Sequence, residues 1–176
     1  MWYTKYKPNG FEAIQSRIAT QIYRAKEMIK FIKQLRELSG GKPIGFKMCI
    51  GHKSEFIAIC KAMMHLNTYP DFIAIDGGEG GTGAAPPEFG NYVGAPLIDG
   101  LDFTHNILNG LGIREHVKLI ASGKVSSAFH VARAMALGAD ACYQARAMML
   151  ALGCIQALIC NTNECPTGIT TQKSEL

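Results

Sequence analysis

Residues Phe72-Ile73-Ala74-Ile75-Asp76-Gly77-Gly78-Glu79-Gly80-Gly81-Thr82-Gly83-Ala84-Ala85-Pro86-Pro87 decide how the rest of the chain is read. The first four residues form a short apolar run of the kind found in a buried strand. Five glycines then fall within the eight positions from Asp76 to Gly83. Glycine permits positive φ and lets backbone approach a flat or charged ligand closely. Such a run also suits a plain surface loop. Its place argues for more, because ligands of α/β proteins bind beyond the carboxyl ends of the strands.

Outward from this run, strand-like and helix-like segments alternate. Upstream, Ile22, Ala25, Ile29, Ile32 and Leu35 recur at helical spacing, which predicts a helix from about Thr20 to Leu38, closed by Gly40-Gly41. Residues Met1 to about Thr20 carry no clean period and read as a separate irregular segment, leaving residues 21–176 as the domain. Ile44 to Ile50 reads as a strand, and Ser54 as the cap of a helix ending near Leu66. Downstream, Asp99 is the expected cap of a helix to Leu111, and Val117 to Ala121 is the next strand. Ser126 or Ser127 starts a helix stopped by Gly138. Ala141-Cys142-Tyr143 is the last strand, before an apolar helix expected from Ala147 to Ile159. Four strand–helix units in this order imply a parallel sheet covered on both faces. A doubly wound sheet and half of a (β/α)8 barrel both satisfy the pattern; a whole barrel usually takes about 250 residues.

The totals exclude several classes. The chain has 176 residues, 48% of them apolar, and a formal charge of +4. No basic block suits nucleic acid. No apolar run approaches the roughly 20 residues that span a bilayer. Residues Met1 to Gly10 lack the apolar centre of a signal peptide, so a cytoplasmic location is expected. In that compartment clustered cysteines point to metal rather than disulfides. Cys49, Cys60 and Cys142 lie in apolar segments and read as core residues, whereas Cys154, Cys160 and Cys165 form a cluster ending in Cys165-Pro166. Three thiolates leave zinc one ligand short and suit an iron–sulfur centre.

The strand ends carry the remaining chemistry. Lys47 interrupts an apolar strand, which is costly unless it reaches water or an anion. Ser122-Gly123-Lys124 and Gln144-Ala145-Arg146 are consecutive strand-to-helix loops. Two such loops form the common phosphate site of a barrel. His105 and His130 fall in expected helices and read as packed or exposed; His52 follows the Lys47 strand.

Residues from about Met28 to Gln172 resemble the FMN-binding synthase domain of glutamate synthase, and most of all its stand-alone glutamate synthase-like members. The resemblance is carried by Leu35 to Pro43 with Gly45-Phe46-Lys47, by Asp76 to Pro86, by Ala121 to Lys124, by Ala136 to Asp140 and by Cys154 to Gln172. It implies the carboxyl-terminal half of a TIM (β/α)8 barrel that binds FMN and a 3Fe-4S cluster. The implied reaction is reductive amination of 2-oxoglutarate to L-glutamate, with hydride passing from reduced FMN to 2-iminoglutarate. Ammonia arrives free or from glutamine, and electrons come from a donor such as ferredoxin or an NADPH-linked subunit. By position, Lys47 lies beside the flavin and the oxo acid. Asp76, Gly77, Gly78, Gly80, Gly81 and Thr82 line the flavin. Ser122, Gly123, Lys124, Ala145 and Arg146 hold its phosphate, and Cys154, Cys160 and Cys165 ligate the cluster. A half-barrel leaves two sheet edges and an apolar interior to be covered, by a second copy or another chain. The alternatives are a non-catalytic half-barrel module assembled in that way, or an FMN oxidoreductase with a different substrate.

Overall fold

A computed structural model describes the backbone of residues 10–79 and 93–174 and the side chains of residues 23–79 and 93–174. Gly80, Gly81 and Thr82 lie outside the described residues. The elements follow in the order α1 (Gly10–Leu38), β1 (Gly45–Met48), α2 (Lys53–Leu66), β2 (Phe72–Asp76), α3 (Leu97–Gly110), β3 (Lys118–Ser122), α4 (Ala128–Ala136), β4 (Ala141–Tyr143) and α5 (Ala145–Ala151), with one 3₁₀ turn at Arg114–His116 before β3. The strands form one parallel sheet in the order β1-β2-β3-β4. The sequential, all-parallel order is that of half of a (β/α)8 barrel, the one of the two patterns open to the alternation that the family resemblance implies.

The period of two sorts the strand residues between two faces. Phe46, Met48, Ile73, Ile75, Leu119, Ala121 and Cys142 point one way and pack into the core. Opposite them lie Phe56, Cys60 and Met63 of α2, Leu101 and Leu108 of α3 and Ala134 of α4. Each fully buried Phe, Ile or Leu here contributes about 1.5–3 kcal/mol relative to exposure. Helix α1 adds Ala25, Ile29 and Ile32, which it lays against α2.

The other face corrects the sequence reading. It carries Lys47, Ala74, Asp76, Ile120, Ser122, Ala141 and Tyr143, of which Ala74 and Ser122 are buried. Lys47, Ala141 and Tyr143 are exposed, Tyr143 to 46%. Cover on both faces was expected from the apolar strands. In a closed barrel this face is the interior, filled by side chains from the four opposing strands.

Element boundaries differ in informative ways. Helix α1 starts at Gly10 rather than Thr20, and ends as expected at Gly40 and Gly41, both with positive φ. Helix α2 starts at Lys53 with His52 at its cap position, so Ser54 is inside the helix. Helix α3 starts at Leu97, which leaves Asp99 in its first turn. Helix α4 is capped by Ser127, whose hydroxyl accepts the His130 N–H at 3.3 Å. The largest difference is α5, which stops at Ala151 instead of Ile159. Gly153 at φ 96° takes the left-handed position that ends a helix, and its N–H donates to the Leu150 carbonyl at 3.0 Å. Cys154 therefore lies beyond the helix rather than within it.

At the amino ends of the strands one device occurs twice. Asp71, just before β2, accepts the Ile44 N–H at 2.7 Å and Arg36 Nη2 at 2.8 Å, while the same Arg36 nitrogen donates to the Tyr69 carbonyl. Asp140, just before β4, accepts the Leu119 N–H at 2.8 Å and Arg114 Nη2 at 2.7 Å, and Arg114 also donates to the Gly138 carbonyl. For both carboxyls burial acts to raise the pKa. The arginine and the backbone N–H together outweigh it and hold each group below its ordinary value.

Candidate functional site at the carboxyl ends of the strands

All four strands deliver their ends to one rim. The register sets Met48 beside Ile75, Asp76 beside Ser122, and Ser122 beside Tyr143. The loops that start at Gly77, Gly123 and Gln144 therefore leave neighbouring strands side by side.

Lys47 stands on that other face, paired across the sheet with Ala74. Its ammonium lies 3.1 Å from Asp76 Oδ2, and its side chain is 52% exposed. Asp76 is two residues beyond Ala74, a diagonal neighbour within reach of a long side chain. The lysine is thus placed on the rim by strand alternation, with Phe46 and Met48 held in the core on either side.

The glycines behave differently from the sequence reading in one respect. The Gly77 N–H donates to the Ser122 carbonyl at 2.7 Å and the Gly78 N–H to Ala95 at 2.8 Å. Both amides are spent on protein partners. A Cβ on Gly77 would sit 2.8 Å from Leu97 Cβ, and one on Gly78 2.7 Å from the Gly94 carbonyl oxygen. A Cβ on Gly123 would lie 3.1 Å from the Gly77 nitrogen. These three glycines let the rim backbone close on itself.

Sequence reasoning gave Glu79 no role of its own. Both of its carboxylate oxygens accept the Leu97 N–H at 2.9 Å, so it caps α3 from 18 residues upstream. An acid at a helix amino end is favoured by the helix dipole as well as by the bond. The available signal was an acidic residue inside an otherwise neutral glycine run.

After β3, Gly123 has φ 138° and Lys124 has φ 47°. A non-glycine residue in the left-handed region costs about 1 kcal/mol or more and is kept only where its surroundings hold it. The next residue, Val125, is buried at 5% exposure. After β4, Ala145 and Arg146 open α5. Lys124 after β3 and Arg146 in the first turn of α5 thus bring two cationic side chains to the ends of adjacent strands.

Burial alone does not separate the cysteines, since Cys49, Cys142, Cys154 and Cys160 are all half-buried while Cys60 and Cys165 are buried. Cys60 is fully buried, and burial pushes its thiol up to about 12. Cys49 and Cys142 are half-buried, and burial raises their thiols too. Cys154, Cys160 and Cys165 instead line a single hollow with Met149, Ile159 and Pro166. Among the described residues no three His, Cys, Asp or Glu side chains converge on a point as one metal ion requires. An iron–sulfur cluster makes a different demand, one thiolate for each of several irons, in an apolar surround with N–H or O–H groups at the sulfurs. The Gln156 N–H donates to Cys154 Sγ at 3.4 Å, and Thr167 Oγ1 lies 3.4 Å from Cys165 Sγ. The Thr167 hydroxyl, the backbone N–H groups of Thr170 and Thr167, and the Thr170 hydroxyl bring the Cys165 thiol down to about 6. Thr170 Oγ1 is buried without a partner of good geometry, so its share is that of a nearby dipole rather than a formed bond. Cys165 is only 9% exposed, and burial opposes the shift least of all. The donor set fits a cluster. The rim, with its ionic pair, Lys124 after β3 and Arg146 in the first turn of α5, fits a phosphate-bearing flavin.

Comparison with known proteins decides the family. The family model described as the conserved region in glutamate synthase matches residues 4–176. The chain belongs to the glutamate synthase family. The match to this family takes in the segment before Thr20 as well. The chain is 43% identical to the glutamate synthase large subunit-like protein YerD of Bacillus subtilis over 150 residues, covering 85% of this chain and 28% of that protein. It is 36% identical to the archaeal NADPH glutamate synthase of Methanocaldococcus jannaschii over 174 residues, 98% of this chain and 33% of that one. To the ferredoxin-dependent glutamate synthase 1 of Arabidopsis thaliana it is 34% identical over 159 residues, 88% of this chain and 9% of that one. The chain therefore spans a third or less of these relatives. No helix among the described residues is long and apolar enough to cross a membrane.

Proposed function

We propose that this chain supplies the carboxyl-terminal half of an FMN- and iron–sulfur-dependent glutamate synthase barrel, which converts 2-oxoglutarate and ammonia to L-glutamate. The observation that carries the reading is the gathering of Cys154, Cys160 and Cys165 around one hollow, one short helix beyond the strand rim. Family membership and the Lys47–Asp76 pair on the rim support it.

When bound, FMN supplies hydride to an imine and a 3Fe-4S cluster supplies electrons. Lys47 offers its ammonium to a carboxylate or keto oxygen of the oxo acid, with Asp76 Oδ2 as the partner that steadies it. Asp76, Gly77, Gly78, Gly80, Gly81 and Thr82 border the flavin, Gly77 and Gly78 by letting the rim close tightly. Ser122, Gly123 and Lys124, with Ala145 and Arg146, receive the flavin phosphate, where cationic side chains and loop amides favour a dianion. Cys154, Cys160 and Cys165 provide three thiolates. The electron donor is a ferredoxin or an NADPH-linked subunit, in keeping with relatives of both names. The exposed part of the Lys47 face and the free edges of β1 and β4 are covered by the remaining four strand–helix units or by a second copy.

Anaerobic reconstitution with FMN, iron and sulfide tests the reading. Flavin bands together with a broad iron–sulfur absorption are expected. A protein that stays colourless, or takes up flavin but no iron, overturns it.

A further inference from the structure

Beyond the three cysteines, the loop that holds the last of them has its own construction. The Gly168 N–H donates to the Cys165 carbonyl at 3.2 Å, closing a four-residue turn over Cys165-Pro166-Thr167-Gly168. Proline at the second position and glycine at the fourth are the residues such a turn favours. The turn fixes Thr167 two residues beyond the cysteine, and its hydroxyl returns to within 3.4 Å of Cys165 Sγ. A β-branched side chain has few χ1 choices, which helps keep the hydroxyl there. At Cys154 the sulfur receives the backbone N–H of Gln156.

We propose that Thr167 is a positioning residue for the cluster ligand Cys165: its O–H donates to the sulfur, fixes the sulfur's direction into the hollow and favours the reduced state of the cluster. The inference rests on the iron–sulfur reading above. A hydroxyl bond to a ligand sulfur draws negative charge from the thiolate, and hydrogen bonds to sulfurs are among the terms that set a cluster's potential. Thr167 touches neither substrate nor flavin in this scheme and acts only through Cys165.

The test compares the wild type, Thr167→Val and Thr167→Ser after anaerobic reconstitution, in an EPR-monitored redox titration. The rate of iron loss to a chelator serves as a second readout. Valine keeps the shape and branching of threonine without its hydroxyl, while serine keeps the hydroxyl. Thr167→Val is expected to shift to a more negative potential and to lose iron faster, with Thr167→Ser staying near the wild type. Loss of the cluster from Thr167→Val alone supports the same role. Equal potentials in wild type and Thr167→Val overturn the inference, as does a serine variant that shifts or loses iron as much as valine. A wild type that takes up no iron overturns instead the reading on which the inference stands.

Discussion

Asp140→Ala tests the stitch at the amino ends of the strands. Asp140 Oδ2 holds the Leu119 N–H at 2.8 Å and Arg114 Nη2 at 2.7 Å, with Lys118 Nζ at 3.7 Å from the other oxygen. The Arg114 side chain is 16% exposed and that of Asp140 31%. Hydrogen bonds to charged groups contribute about 1.5–3 kcal/mol each when well covered, and partial exposure reduces that. Removing the carboxylate leaves the Leu119 N–H and one arginine nitrogen without this acceptor, so a loss of about 2 kcal/mol is expected. For a chain of this length that corresponds to a fall in Tm of about 4–8 °C. Asp140→Asn keeps an acceptor for Leu119 and should lose about half as much. The pH dependence follows from the depressed carboxyl pKa. The stabilisation is fully present above the ordinary carboxylate value of about 4. It disappears as pH falls through the lower folded-state value. The gap between wild type and Asp140→Ala should be constant from neutrality to about pH 4 and close below it. Urea unfolding followed by circular dichroism across that range measures it. A gap below about 0.5 kcal/mol at neutral pH, or one that persists undiminished at the acid end, would refute the reasoning.

The equivalent change Asp71→Ala should act in the same direction but less strongly, because the Asp71 side chain is 41% exposed; urea midpoints compared with those of Asp140→Ala read the difference. Gly78→Ala drives a methyl to 2.7 Å from the Gly94 carbonyl oxygen, a backbone atom that cannot swing away, so a loss of about 1–3 kcal/mol is expected in thermal melts. Lys47→Met, assayed in protein reconstituted with both cofactors, should lower kcat/KM for 2-oxoglutarate about tenfold or more while the bound-flavin spectrum stays unchanged; unaltered kinetics would remove Lys47 from substrate contact.

The strands and their direction were legible because four apolar runs alternate with helical periods, and parallel order follows from that alternation. Lys47 was legible for a related reason: a lysine between Phe46 and Met48 has to face away from the core. The two-sided cover held only in part, with Ala74 and Ser122 buried but Lys47, Ala141 and Tyr143 exposed, because apolar content alone does not say how far a face is packed. The extent of α5 was misread because Ile155, Leu158 and Ile159 continue an apolar pattern past Gly153, where a left-handed turn overrides it. The capping role of Glu79 and the two Asp–Arg stitches escaped notice because each joins residues far apart in the chain, through geometry that no local spacing encodes. The glycines at Gly77 and Gly78 were read as letting backbone approach a ligand, whereas what approaches Gly78 in the structure is the returning backbone at Gly94.

The recurrence of the stitch has a consequence for how the sheet is assembled. Asp71 joins β2 to the residue before β1, and Asp140 joins β4 to β3, so each strand–helix–strand pair carries its own clasp. Such a pair can set its internal alignment without instruction from the other. The sheet then reads as two like modules laid edge to edge, in which an insertion between them would disturb neither pairing.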